Sequence, residues 1–358
     1  MQVRLLDVTQ SDEWHGYLDQ MTHSDIYFTP EYCKIYEDNG EGKAQLYVFI
    51  EGEGIICYPY LLRAIPSVGS YPVDLYDITT PYGYGGPLCN VNEKDEREQL
   101  FQRFTVNFHS YCQENHIVSE FVRFHPILQN SEDYLGVCPS YLRETVYIDL
   151  TRDHIREQYA KKKQNRIRHS LKEDLLIVHR PAKELEHFLR LYYSTMDKKQ
   201  ASSYYYFSEQ FLHNTVHYLN DHIELIEVEH EGQVIASCMF LHDKDIAHYH
   251  LMGSNKEYLH LNAVNLMIDY AAHWAKDMNC SYLHLGGGHE NQDDLLRFKK
   301  GFNPECQTKF YIGRKIHCPE HYAALVSEQF EADDTSGEHE GYFPLYRCDS
   351  PSKETIKH

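Results

Sequence analysis

Three consecutive glycines, with carboxylates and a lysine beyond them, mark the stretch of this chain best equipped for chemistry. It reads Tyr282-Leu283-His284-Leu285-Gly286-Gly287-Gly288-His289-Glu290-Asn291-Gln292-Asp293-Asp294-Leu295-Leu296-Arg297-Phe298-Lys299-Lys300-Gly301-Phe302. Glu290 and Asp293 are of the type that positions an attacking amine or takes its proton. Lys299 is of the type that meets negative charge developing on a carbonyl oxygen or a leaving group. Glycine lets a ligand approach the backbone closely, so Gly286, Gly287, Gly288 and the adjoining His289 and Phe298 are candidate substrate contacts. Two plainer roles compete. A phosphate cradle would need the P-loop spacing, which is missing, and carboxylates at a helix start repel an anion. A tight strand-to-helix turn with ordinary capping needs no ligand at all.

The elements that must position these residues follow from the same stretch. Alternating apolar residues over Tyr282–Leu285 give a strand, the acidic residues open a helix, and Gly301 closes it. An α/β enzyme often binds its substrate there, beyond the carboxyl end of a strand.

Earlier in the chain, residues 11–21 carry a weak amphipathic pattern. Thr29-Pro30-Glu31-Tyr32 opens a helix with a capping Thr and a first-turn Pro. Residues 45–50 and 54–62 read as a hairpin around Glu51-Gly52-Glu53-Gly54. Asp77, a further candidate base, leads into a second glycine loop, Pro81-Tyr82-Gly83-Tyr84-Gly85-Gly86-Pro87, where Tyr82 and Tyr84 are candidate substrate contacts. A helix over 96–114 and strands over 117–124 and 144–150 complete the first half.

The second half repeats that order. It has a helix over 188–196, a hairpin of 223–229 with 234–241, a strand over 247–252, a helix over 262–276, then strands over 282–285 and 309–312. Placing Glu51-Gly52 on Glu231-Gly232, an offset of 180, also lays Ile55 on Ile235, Tyr60 on Phe240 and Leu61 on Leu241. The expected architecture is α/β (α+β), two tandem domains of mixed sheet flanked by helices. The first covers 1–150 and the second 151–318, with a C-terminal helix and acidic tail over 319–358.

Composition bounds the rest. At 358 residues the chain can hold two domains. Its formal charge of −20 and pI near 5.6 argue against nucleic acid, DNA included, or anionic membrane as a general partner, while leaving room for a local basic patch. Ten scattered cysteines without a C-x-x-C pair, and a first segment without an apolar signal core, read as cytoplasmic with free thiols. No apolar run approaches ~18 residues, so no membrane span is expected. The 24 histidines show no metal-ligand spacing, and no metal site is expected.

Residues 151–172 read as a helix opening the second domain. It carries Arg152, Arg156, Lys161, Lys162, Lys163, Arg166, Arg168 and Lys172 against only Asp153 and Glu157. Such a face can meet the phosphates of a nucleotide, a lipid-linked precursor or tRNA, with Arg166 and Arg168 as the candidate contacts. It can equally be a solvated connector. Residues 331–340 read as a flexible acidic loop, and the aromatic segment 341–347 as one that docks back on the body.

Five of these pieces, in order, resemble a known family. They are Tyr27-Phe28-Thr29-Pro30-Glu31-Tyr32, Tyr82-Gly83-Tyr84-Gly85-Gly86-Pro87-Leu88, Lys163-Gln164-Asn165-Arg166-Ile167-Arg168, Thr195-Met196-Asp197-Lys198, and Gly286 through Phe302. Together they span roughly residues 1–316 and are similar to the FemAB-like and BioF2-like acyltransferases, which double the acetyltransferase-like (GNAT) fold. The resemblance implies transfer of an acyl or aminoacyl group to an amine or hydroxyl of a cell-envelope sugar or peptidoglycan-type precursor, small or lipid-linked. Acyl-CoA or aminoacyl-tRNA would be the co-substrate, with no covalently bound cofactor.

Residue by residue, the resemblance places Lys299 on the family's Phe-Lys-x-x-Phe lysine and Tyr249 on an aromatic beside the cleft. Lys198 falls where relatives hold acceptor phosphates. Three departures stand out. Asn90 replaces a family Asp, Tyr36 replaces a lysine of the first helix (Lys34 is nearby), and Gly253-Ser254-Asn255-Lys256-Glu257-Tyr258 replaces the loop that holds the CoA pyrophosphate. They leave a catalytically silent module, binding a precursor or a protein, as the alternative.

Overall fold

The computed structural model describes residues 1–66, 74–199, 206–288, 293–329 and 341–348, apart from the side chains of Lys198 and Lys199. The elements of the first half are β1 (Gln2–Asp7), α1 (Ser11–Leu18), α2 (Pro30–Asp38), β2 (Lys43–Glu51), β3 (Gly54–Ala64), β4 (Tyr76–Thr79), β5 (Leu88–Cys89), α3 (Lys94–Glu114), β6 (Ile117–Arg123) and β7 (Ser140–Asp149). The second half has α4 (Lys161–Ser170), β8 (Leu175–Arg180), α5 (Glu186–Lys199), α6 (Glu209–Leu219), β9 (Ile223–His230), β10 (Gln233–Asp243), β11 (Ile246–Ser254), α7 (Ala263–Asp277), β12 (Tyr282–Gly287), α8 (Asp294–Lys300), β13 (Gln307–Ile316) and α9 (Pro319–Gln329). The chain divides into two compact units, Met1–Leu142 with Phe310–His358, and Arg143–Lys309.

The first unit orders its sheet β1-β2-β3-β4-β6 and then residues Ile312–Ile316 of β13. Here β4 and β6 form the parallel pair, and α3 makes the crossover between them. The stripe Leu100, Phe104, Phe108 of α3 packs on Tyr47, Phe49, Tyr58 and Ile78 of the sheet. The second unit orders its sheet β8-β9-β10-β11-β12 and then residues Thr145–Asp149 of β7. Here β11 and β12 form the parallel pair, and α7 crosses between them. Its buried Met267, Ile268 and Ala271 pack on Ile226, Phe240 and Leu283. Each unit is a mixed sheet flanked by helices, as the hydrophobic patterning implied.

The last strand of each unit comes from the other half of the sequence. Residues 144–150 read as the end of the first half, yet Thr145–Asp149 hydrogen-bond antiparallel to β12. Residues 309–312 read as the end of the second, yet Ile312–Ile316 hydrogen-bond antiparallel to β6. The tail follows the latter. Leu325 of α9 and Tyr346 bury with Leu75 and Val118 of the first unit, so segment 341–348 does dock. Residues 330–340 lie outside the described residues.

The internal offset holds with one local correction. Gln45 faces Tyr60 and Glu224 faces Phe240, so Tyr60 and Phe240 are equivalent. At the turn, however, Glu51 pairs with Gly54 and His230 with Gln233, one residue out of the expected placement. A bulge between Val234 and Ala236 absorbs the difference, and Ile235 is the extra residue.

The expected helix over 151–172 is shorter. A 3₁₀ turn at Ile155–Gln158 and extended backbone at Tyr159 precede α4, because Gln158 turns back to donate to the Asp149 carbonyl at 2.8 Å. Among the elements without a recognised signal are β1, β8 and α6. β1 and β8 are edge strands, β1 almost wholly exposed and β8 with no fully buried residue, and so show little alternation. Helix α6 does show its pattern, with Ser208 as cap and Phe211, Leu212, Thr215, Val216 and Leu219 buried.

Candidate functional site

At the carboxyl end of β12 the chain turns through Gly286, whose φ of +72° is the left-handed region that favours glycine. The carbonyls that follow face cations. Arg143 Nη1 donates to the Gly288 carbonyl at 2.6 Å, and Lys299 Nζ to the Gly287 carbonyl at 2.6 Å. Lys299 lies on α8 and is 7% exposed, so its ammonium is held by packing. Its Nζ stands 5.8 Å from the centre of the Tyr249 ring on β11. Burial pushes the Tyr249 phenol well above its ordinary pKa, so it can only act as a proton donor or neutral hydrogen-bonding group. Asp293 caps α8, accepting from the Leu296 N–H at 2.7 Å, which occupies it as a structural acceptor. His289 and Glu290 lie outside the described residues.

Beneath this loop, His284 Nε2 lies 2.9 Å from Thr145 Oγ1, and the His248 ring meets the His284 ring edge-on at 5.5 Å. Behind the loop, Phe298 and Phe302 flank an ammonium, and it is not that of Lys299. Lys163 of α4 places Nζ 3.7 Å and 4.1 Å from the two ring centres and donates to Asn265 Oδ1 at 2.8 Å. In the sequence Lys163 belongs to the basic run, expected either to meet phosphates or to face solvent. The signal that marks it is its spacing from Ile167 and Ser170, the other buried residues of α4.

The rest of the basic run is partly committed. Arg156 pairs with buried Asp269 at 2.6 Å, and Arg152 with Asp149 at 3.3 Å. Lys161, Lys162, Arg168 and Lys172 are exposed and Arg166 half-buried, so those five are the outward basic residues of the run. Lys198 sits on α5, with its side chain outside the described residues.

The remaining candidates belong to the first unit. Asp77 is fully buried, with Arg63 Nε on Oδ1 at 2.6 Å and both Tyr346 OH, at 3.1 Å, and Arg347 on Oδ2. That is a clamp for the C-terminal segment rather than the setting of a base. Tyr84 meets Tyr27, His125 and Phe310 edge-on, and the Tyr82 carbonyl accepts from Tyr32 OH at 2.7 Å. The departures are built into the frame. Asn90 accepts from the Ile55 N–H at 2.7 Å and donates to the Glu53 carbonyl at 2.9 Å, tying down the hairpin turn. Tyr36 is buried against Tyr32, and Lys34 is bound to Asp38 at 2.6 Å. The segment in place of the pyrophosphate loop folds as a 3₁₀ turn over Lys256–Leu261, with Asn255 as cap.

A parallel strand pair joined by a helix, present in each unit, makes this a doubled GNAT-like fold. Residues 156–300 match the family described as Acetyltransferase (GNAT) domain, which supports an acyltransferase. The crystal structure of FemX aligns with a TM-score of 0.69 at 10% identity, covering 92% of this chain and 100% of that one. The C-terminal domain of a putative lysylphosphatidylglycerol synthetase from Agrobacterium fabrum aligns at 0.53 and 10% identity, over 90% and 96%. L-PGS from Bacillus licheniformis aligns at 0.50 and 12% identity, over 84% and 90%. At these identities the likeness is one of fold. No curated protein matches the sequence. Among the described residues, no helix is long and apolar enough to cross a membrane.

Proposed function

We propose that the chain transfers an acyl or aminoacyl group, from acyl-CoA or aminoacyl-tRNA, to an amine or hydroxyl of a cell-envelope sugar or peptidoglycan-type precursor. The chemistry is carried by the glycine loop of the second unit. One observation supports this above the others: a buried ammonium, Lys299, held on the Gly287 carbonyl beside Tyr249. In this reading the acceptor nitrogen or oxygen attacks the donor carbonyl. The new C–N or C–O bond forms, the oxyanion is met by the Lys299 ammonium or the Tyr249 phenol, and the C–S or C–O bond to the leaving group breaks as the acceptor's proton departs. Holding the reactants together provides most of the rate, and each positioned donor adds a smaller factor. The outward face of Arg166 and Arg168 would take the phosphates of a co-substrate or precursor. A tRNA would fit the same face.

A silent binding module is the second reading, favoured for the first unit by Asn90 and Tyr36, both spent on the frame. Thermal shift with acyl-CoA, aminoacyl-tRNA and a UDP-linked precursor identifies the ligands, since a ligand of the folded state raises Tm, and turnover with those ligands separates the two readings. With the active donor, Lys299→Met should lower kcat ~10²-fold, the scale for one positioned donor. Lys300→Met breaks only the half-exposed pair with Glu144 and should be nearly neutral. Full activity in Lys299→Met would sink the assignment.

A further inference from the structure

Lys163 is costly to bury and, among the described residues, is paired with no carboxylate. The residue is 4% exposed, and its ammonium stands at the first turn of α7, whose dipole presents its positive end. The charged group acting on it is Arg166 of its own helix, which repels it. From α7 it meets the neutral amide of Asn265, while Asp269, further along, is taken by Arg156. From the α8 turn it meets two rings. An apolar side chain of similar length would fill this space with less penalty, so packing alone does not explain an amine here.

The contacts around it form one unit. A Cβ on Gly301 would stand 2.7 Å from Lys163 Cε, so the turn closes directly on the lysine stem. The Ala160 N–H at the start of α4 donates to the Gly301 carbonyl at 2.9 Å, and the Tyr159 ring meets Phe302 edge-on at 5.3 Å. Lys299 lies between Phe298 and Phe302 in sequence, on the turn so held.

We propose that Lys163 is a positioning residue: its ammonium, wedged under the Phe298–Phe302 turn, joins that turn to α4 and α7 and thereby sets Lys299 on the glycine loop. Burial together with Arg166 lowers the pKa of this amine from 10.5 to about 7, so the wedge is charged or neutral according to conditions near neutrality. The charged form attracts the faces of both rings and the neutral form does not. The inference rests on Lys299 as the group that meets the reacting charge.

The test compares wild type, Lys163→Met and Asn265→Asp across pH 5.5–9, with the donor identified by thermal shift. Lys163→Met should keep a Tm at pH 6 no lower than wild type, while kcat falls tenfold or more with little change in KM. The ratio of wild-type to Lys163→Met kcat should decline as pH rises through about 7. Asn265→Asp gives the ammonium a carboxylate and should move that decline upward by a pH unit or more. A pH-independent ratio near one, or a decline that stays put in Asn265→Asp, overturns the proposal. The Lys299→Met measurement stands apart. If that variant keeps full turnover, the reading of Lys299 fails, whereas failure at Lys163 alone leaves it intact.

Discussion

Replacing Lys163 by Met should stabilise the second unit in acid and lose that advantage in alkali. The amine titrates near 10.5 in an unfolded chain and at about 7 in the fold. Between those values the unfolded chain holds more protons, so this group makes stability rise with pH through the window, and its cost is complete below 7. At ~1.4 kcal/mol per unit, the whole depression is worth about 5 kcal/mol. Met removes that cost. It also forfeits two ring contacts of ~1 kcal/mol each and leaves Asn265 Oδ1 without its donor, a loss of ~1–3 kcal/mol. The expected net at pH 6 is a gain of about 1 kcal/mol, reversing by about pH 9 as the wild-type penalty fades. Hydrogen exchange of α7 peptides in both proteins from pH 6 to 10 reads the second unit directly, and their difference cancels every other titrating group. Parallel profiles would refute the reasoning, because a lysine with an ordinary pKa produces no such divergence.

Three other variants, one of them a double substitution, bear on the remaining candidates. Arg166→Ala with Arg168→Ala should weaken co-substrate binding and flatten its salt dependence by up to about two counterions; unchanged affinity at low salt would leave α4 a solvated connector. Asp77→Asn leaves Arg63 and Arg347 without their carboxylate and should cost the first unit ~3–5 kcal/mol in denaturant unfolding, with turnover per folded molecule unchanged; a stable but inactive variant would restore Asp77 as a base. Gly286→Ala forces a side chain into φ +72° and should cost ~1–2 kcal/mol, with the loss in kcat exceeding that in stability if the loop positions substrate.

What the sequence made legible was whatever local periodicity records. The α3 stripe of Leu100, Phe104 and Phe108, the hairpin β9–β10 and the strand-glycine-helix order at Gly286 all follow from side-chain spacing over a few residues. Pairing between distant strands leaves no such mark. Residues 145–149 alternate as any strand would, and nothing within them says that their partner is Tyr282–Gly287 rather than a strand of the first half. Asp77 shows the same limit for charge. A lone Asp before a glycine loop has the profile of a base, and only the return of Tyr346 and Arg347 from 269 and 270 residues away shows it to be a clamp.

Lys163 was hidden for a different reason. In Lys161-Lys162-Lys163 composition treats the three alike, yet on a helix they point about 100° apart. Ile167 and Ser170, four and seven residues on, fix which of the three faces inward, and Lys163 alone shares their side. Family likeness directed attention to Lys299 because its motif places it between two phenylalanines. In space, those rings close on the other lysine. A motif names the residues of a turn, but the charge its aromatics hold is decided by what packs beneath it, and here that is a helix more than a hundred residues earlier in the chain.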